Sequence, residues 1–210
     1  MSINIGILVV TFLVSGFATV SAATELRLAG GVALGFSDYD AGTTGGTTNN
    51  GEITSRYGGI QIVLRGDESL GFETGIQYGG TGGEASYAPL SGSLDAQSVE
   101  WTFHYVGVPL RVRLQRPGSS PFLKVGVCLD LLTRTDFIIG GRENGWNAEN
   151  PDLSLLAGGG LDIPTSPVPM FIELEGAWGL RNAFGISVST LRNRTLRLGV
   201  GLVWPRGNDI

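Results

Sequence analysis

Apolar and polar positions alternate with a period of two along most of this chain. The clearest case is Arg194-Thr195-Leu196-Arg197-Leu198-Gly199-Val200-Gly201-Leu202-Val203-Trp204. Leu196, Leu198, Val200, Leu202 and Trp204 share one face of an extended strand. Arg197, Gly199, Gly201 and Val203 share the other. An arginine set among glycines does not suit a strand buried on both sides. It suits a wall with hydrocarbon on one side and a polar interior on the other.

The pattern recurs. Leu26, Leu28, Val32, Leu34 and Phe36 form one face of a first strand, against Glu25, Arg27, Ala29, Gly31, Ala33 and Gly35. A polar stretch from Ser37 to about Ile53 reads as a loop. A second strand spans about Thr54 to Arg65 and ends in a tight turn, Gly66-Asp67-Glu68-Ser69. The third runs from Leu70 to Gly79, with Glu73 and Gln77 on its polar face. A long loop is expected from Gly80 to about Ser98. The fourth strand, Val99 to Gln115, changes phase: Trp101, Phe103 and Tyr105 lead, then Val106, Val108, Leu110, Val112 and Leu114. A β-bulge near Tyr105-Val106 would place both sets on the outer face. Pro109 offers no ladder donor, a defect this strand must accommodate.

After the turn Arg116 to Ser120, a fifth strand alternates Leu123, Val125, Val127, Leu129 and Leu131 with Lys124, Gly126, Cys128 and Asp130. A third long loop spans about Thr133 to Pro151. A sixth strand carries Ser154, Gly158, Gly160 and Asp162 inward, and the turn Pro164 to Pro169 follows. The seventh carries Glu173, Glu175 and Ala177 inward, with Trp178 outward. A fourth loop, about Arg181 to Thr190, leads to the eighth strand. Long loops at one end and short turns at the other predict an all-β, eight-stranded antiparallel up-and-down transmembrane β-barrel. A β-sandwich is not expected to segregate its connections in this way.

Composition agrees. The chain has 210 residues, of which 34 are glycine, and no sustained helical period. A net charge of −5 gives no reason to expect nucleic acid as a partner. Cys128 is the only cysteine, so no disulfide forms within one chain. Residues 1–22 stand apart. Ile3 to Val20 is apolar and uncharged, and Val20-Ser21-Ala22 precedes Ala23 as a small-residue cleavage site. This reads as a secretory signal peptide without the usual basic start. The competing reading is a retained anchor. Residues 23–210 form the barrel domain.

The inward faces collect Glu25, Glu73, Asp130, Asp162, Glu173 and Glu175 against Arg27, Arg65, Arg111, Arg113, Lys124 and Arg197. A barrel of eight strands is only wide enough for its side chains to fill. Buried charges must then be paired, so the lumen is expected to hold a salt-bridged plug; an ion-selective constriction is the alternative. Phe36, Tyr78, Trp101, Phe103 and Trp178 are expected as an aromatic girdle near the long loops, with Phe72 and Trp204 as its counterpart at the other end.

The residues Tyr105 to Val112, Pro121 to Val127, Leu155 to Asp162 and Arg194 to Trp204 carry a family resemblance. On these the chain resembles the outer-membrane β-barrel family that includes porin-family proteins related to PorT and, more distantly, the opacity and OmpX-like eight-stranded barrels. Gly107 stands where relatives often have an acidic residue. Six residues, Pro205 to Ile210, follow the terminal aromatic. The resemblance implies an envelope protein of a Gram-negative bacterium, and the even strand count puts both termini beside the short turns, on the periplasmic side; the expected partners are outer-membrane lipid and the barrel-insertion machinery, and the expected state is a monomer.

No catalytic, cofactor or metal site is expected. His104 is the only histidine, and no serine flanks it as a nucleophile. Asp38, Asp40, Asp95, Asp136 and Glu143 read as solvated loop residues. Cys128 is expected to fill space inside the wall. The expected function is a structural, adhesive or narrow-pore role exercised through four surface loops. The alternatives are a lipid-modifying barrel enzyme using His104 as base, and a soluble lipocalin-like barrel whose apolar faces point inward.

Overall fold

Eight long strands close on themselves, each hydrogen-bonded to the strands before and after it in sequence. In the computed structural model they are β1 (Thr24–Asp40), β2 (Ile53–Arg65), β3 (Leu70–Tyr87) and β4 (Gln97–Gln115), followed by β5 (Pro121–Ile139), β6 (Asp152–Ile163), β7 (Met170–Gly179) and β8 (Thr190–Pro205). Two short strands, Asn50–Gly51 and Arg142–Glu143, extend the edges of β3 and β5. The structure describes residues 24–40, 50–65, 69–87, 97–139, 141–143, 151–165, 167–180 and 190–205. The signal-peptide reading, and most of the expected loops, lie outside these.

Closure is made by β1 against β8. Leu26 faces Trp204, Val32 faces Leu198, and the register runs unbroken from Glu25↔Pro205 to Asp40↔Thr190. All other ladders are antiparallel too. Closing the sheet leaves no edge strand with unpaired backbone groups, a requirement for any sheet surrounded by hydrocarbon. The start of β1, the end of β8 and the short connections lie at one end of the barrel, the turn end. The long connections lie at the other, the loop end.

The two faces of the wall differ in kind. On β8, Leu196, Leu198, Val200, Leu202 and Trp204 point outward and are 38–57% exposed, while Asn193, Thr195 and Val203 point inward and are buried. Ile60, Ile62, Phe72, Ile76, Leu123, Val125, Leu155, Ile172 and Leu174 continue the outer belt around the ring. A continuous apolar belt outside and charges inside invert the plan of a water-soluble barrel.

Three expectations need correction. First, β1, β3 and β5 run past the expected loop starts, to Asp40, Tyr87 and Ile139. Beyond the apolar belt both faces of a strand can be polar, so the alternation that marks a strand in sequence disappears while the ladder continues. Second, the bulge lies on β5, not β4. Register shifts between His104↔Arg134 and Tyr105↔Leu132, which leaves Thr133 as the extra residue.

Third, because β4 keeps one phase throughout, Trp101 and Phe103 point into the barrel with Tyr105, Gly107, Pro109, Arg111 and Arg113. Trp101 is 3% exposed and Phe103 is fully buried. They are not girdle residues. Large apolar side chains suit a lipid face and an occluded lumen equally well, and only the parity of the strand decides between them. Of the other girdle residues, Tyr78, Trp178, Phe72 and Trp204 are exposed on the outside and Phe36 is half-buried. Pro109 sits beside a short gap in the β3–β4 ladder, between Thr74↔Leu110 and Gln77↔Gly107, so its missing donor is absorbed locally.

Leu198 lies near the middle of the outer belt. Leu198→Arg should cost about 2–4 kcal/mol of stability in a bilayer, the expected cost of a basic side chain facing lipid at mid-depth. Urea titration of the refolded chain in vesicles measures this; an unchanged midpoint would contradict a lipid-facing Leu198.

Candidate functional site: the barrel lumen

Three layers fill the lumen. At the turn end, Arg27 reaches across the barrel. Its Nη1 donates to Asp162 Oδ1 at 3.0 Å and its Nη2 to Glu25 Oε2 at 2.7 Å. Arg65 Nε donates to the other oxygen of Glu25 at 2.7 Å. Arg113 Nη2 donates to Asp162 Oδ2 at 2.6 Å, and Gln115 Nε2 reaches the same oxygen at 2.9 Å. Phe122 and Phe171, both buried inward, lie under the guanidinium groups, with Arg113 Cζ 3.5 Å from the Phe122 ring centre. The ring faces add cation–π attraction where water is scarce. A hollow of about 330 Å³ opens at the turn end over Glu25, Arg27, Arg65 and Asp162.

The middle layer is the most deeply buried. Arg111 donates from Nη1 to Glu73 Oε1 at 2.8 Å, and from Nη2 to Glu175 Oε1 at 2.8 Å and Gln77 Oε1 at 2.9 Å. Lys124 Nζ donates to Glu173 Oε2 at 2.8 Å and lies 3.1 Å from Glu175. Arg197 Nη1 donates to Glu175 Oε1 at 3.3 Å. Tyr57 crosses the lumen and donates to Glu173 Oε1 at 3.0 Å. It can do so because residue 199 is glycine: a Cβ there would collide with the Tyr57 hydroxyl. Arg111, Lys124, Glu173 and Glu175 each meet two or more partners, the condition under which buried charge is tolerated.

The third layer, toward the loop end, is a small polar chamber. Tyr105, Asp130, Asp152, Ser154, Asn193 and Thr195 line a cavity of about 20 Å³, room for about one water-sized occupant. Thr195 Oγ1 donates to Thr81 Oγ1 at 3.0 Å over it, and β3 leans onto β1 where Gly82 meets Gly35. Phe103 and Trp101 are buried on the inner face of β4, on the loop-end side of Tyr105.

All twelve charges read as inward from the sequence lie on the inner face. Eleven of them belong to the two ionic layers, and Asp130 stands in the chamber. Sequence reasoning missed Asp152, which is inward and 6% exposed. Its parity with Ser154 is the available signal, but it precedes Leu153, where the apolar alternation of that strand begins. Adding it makes the inward acids seven against six bases among the described residues. Tyr57, Phe122, Phe171 and Leu156 were also missed as lumen fillers. Their size carries no direction, and only strand phase supplies one. Cys128 is buried inward and hydrogen-bonded to Asp130 and Gln77.

His104 lies on the outside of the wall. Its ring stacks on Tyr78, with Nδ1 3.1 Å from the Tyr78 hydroxyl and Nε2 3.2 Å from Asp136 Oδ2. Arg134 Nε donates to Asp136 Oδ1 at 2.7 Å. Asp136 is thus a strand residue rather than a loop residue. Among the described residues the groups hydrogen-bonded to the His104 ring are this phenol and this carboxylate, with no serine among them.

No protein-family profile and no curated protein matches the chain. Solved structures do. The outer membrane protein OprG of Pseudomonas aeruginosa superposes with a TM-score of 0.51 at 11% identity, covering 88% of this chain and 98% of OprG. Neisserial surface protein A gives 0.46 at 13% identity, over 85% and 96% of the two chains. Ail, the attachment invasion locus protein of Yersinia pestis, gives 0.43 at 12%, over 87% and 99%. Of these three the OprG likeness alone exceeds 0.5, and at that identity it speaks to the fold alone. The narrower likeness to PorT-related proteins finds no support in these comparisons. The chain has the closed eight-stranded antiparallel fold of the outer-membrane β-barrel proteins.

Proposed function

We propose that this chain is a small, non-conducting barrel of the Gram-negative outer membrane, held there as a monomer by its lipid contacts. Its four loop-end connections carry a structural or adhesive role. On this reading residues 1–22 are removed as a signal peptide, the insertion machinery places the barrel, and the turn end with both termini faces the periplasm. The observation that carries the reading is the lumen itself. Two stacked ionic layers with direct contacts between their members leave a chamber of only about 20 Å³ above them. A pore needs a continuous wet path, whereas paired charges at these distances hold the lumen shut. The soluble ligand-binding alternative requires apolar faces inside the barrel, where this lumen carries its charge.

Single-channel recording of the refolded chain in planar bilayers tests this. The expected record has no stable conducting steps; a reproducible open level would return the role to that of a narrow pore.

Removing Arg111 would leave Glu73 and Glu175 facing each other with one cation fewer. Arg111→Gln should lose about 3–5 kcal/mol, as expected when one member of a buried ionic group is deleted. The double variant Arg111→Gln/Glu73→Gln should recover part of that loss. Denaturant unfolding in vesicles, arranged as a double-mutant cycle, measures the difference. Additive losses would mean that the pair is not coupled.

A further inference from the structure

The chamber toward the loop end is built differently from the ionic layers beneath it. Asp130 and Asp152 are direct cross-strand partners on β5 and β6, and both side chains point inward, each 6% exposed. Like charges directly opposite each other on a sheet repel. Asp130 has no ion pair among the described residues: Ser154 Oγ donates to its Oδ2 at 2.8 Å, and Cys128 Sγ to its Oδ1 at 3.1 Å. Both donors are neutral.

A separate group also points to an occupant. Asn193, 5% exposed, donates from Nδ2 to the Tyr105 hydroxyl at 3.3 Å, and its buried Oδ1 has no donor. A buried carbonyl oxygen without a partner is costly, and native structures rarely leave one so. Asn193 and both aspartates line the same cavity. Two glycines bring them close. A Cβ on Gly179 would lie 3.2 Å from Asp152 Oδ2 and 3.0 Å from the Asn193 carbonyl oxygen, and a Cβ on Gly107 would collide with Asp130 Oδ1. Among the described residues the one cation on the chamber wall is Arg197, whose Nη1 donates to Glu175 on the plug side and whose buried Nε has no partner.

We propose that this chamber binds one calcium-class divalent cation, held by Asp130, Asp152 and the Asn193 side-chain oxygen. The donors are all oxygen, which selects a hard ion over zinc or copper. The cavity has room for about one water-sized occupant, so the ion must shed most of its hydration shell. That favours calcium over magnesium, which dehydrates reluctantly and keeps several waters. Among the described residues no three His, Cys, Asp or Glu side chains are placed to hold a metal ion by themselves, so the amide oxygen is essential to the set. The ion would tie β5, β6 and β8 together beneath the loops they carry.

The full chain, refolded into detergent and freed of metal with a chelator, is titrated with calcium chloride by calorimetry. The expected result is one saturable site per chain. Thermal unfolding should rise with calcium and much less with the same concentration of magnesium. Asp130→Asn and Asn193→Ala should each weaken binding at least tenfold, and Glu100→Gln, on the exposed outer face, should leave it unchanged. No saturable binding to the wild type overturns the proposal, as does binding undiminished in both chamber variants or an equal response to magnesium. If the variants fail to fold, the wild type still decides. Terbium should bind at one equivalent, give emission sensitised by Tyr105, and lose it on calcium addition. Terbium emission that calcium does not displace would equally overturn the site.

Discussion

The structure depends on charge neutralisation inside a tube too narrow for a continuous column of water. An eight-stranded wall leaves an interior the width of its own side chains. The inner face presents a dozen or more ionised groups to that space, and desolvating any one alone would cost several kcal/mol. Arg111 between Glu73 and Glu175, Lys124 between Glu173 and Glu175, and Arg27 between Glu25 and Asp162 are the solutions found. Arg111 and Arg27 each bridge acids from different strands and Lys124 joins β5 to β7, so the ionic layers also tie the wall together across its diameter. In an ordinary soluble protein the apolar core does this. Here the apolar surface has been spent on the outside, and cohesion across the centre falls to ion pairs, Tyr57 and the aromatic rings beneath the guanidinium groups.

Glycine makes this interior geometrically possible. Long side chains can cross the lumen only where the opposite wall is bare. Tyr57 lies over Gly199, Phe171 presses on Gly201, and Asp130 leans over Gly107. The high glycine content is thus the complement of a few large inward residues, not a sign of looseness. The same complementarity separates the ionic layers from the chamber above them, where shorter side chains leave space unfilled.

The two ends have different tasks. At the turn end short connections hold adjacent strands in register, and the lumen opens into a shallow hollow lined by the outermost ion pairs. At the loop end the strands outlast the apolar belt, β3 leans over toward β1, and buried aromatics of β4 stand above the chamber.

Much of this was legible in the amino-acid order alone. A period of two fixes which residues share a face, and Arg197 among glycines opposite leucines says which face meets hydrocarbon. The alternation of short and long connections then determined the strand number, the antiparallel order and the ring. It did not determine where β1, β3 and β5 stop, because outside lipid neither face needs to be apolar and the periodic signal ends before the ladder does. Nor could it place the one-residue bulge, which the sequence suggested on β4 and the ladder puts at Thr133. With it went the direction of Trp101 and Phe103, since a single added residue reverses every side chain beyond it. The partners of each charge, and the meeting of Asp130, Asp152 and Asn193 from three strands, were decided only by the closed ring. Curvature and stagger set which inward residues share a height, and no local pattern records either.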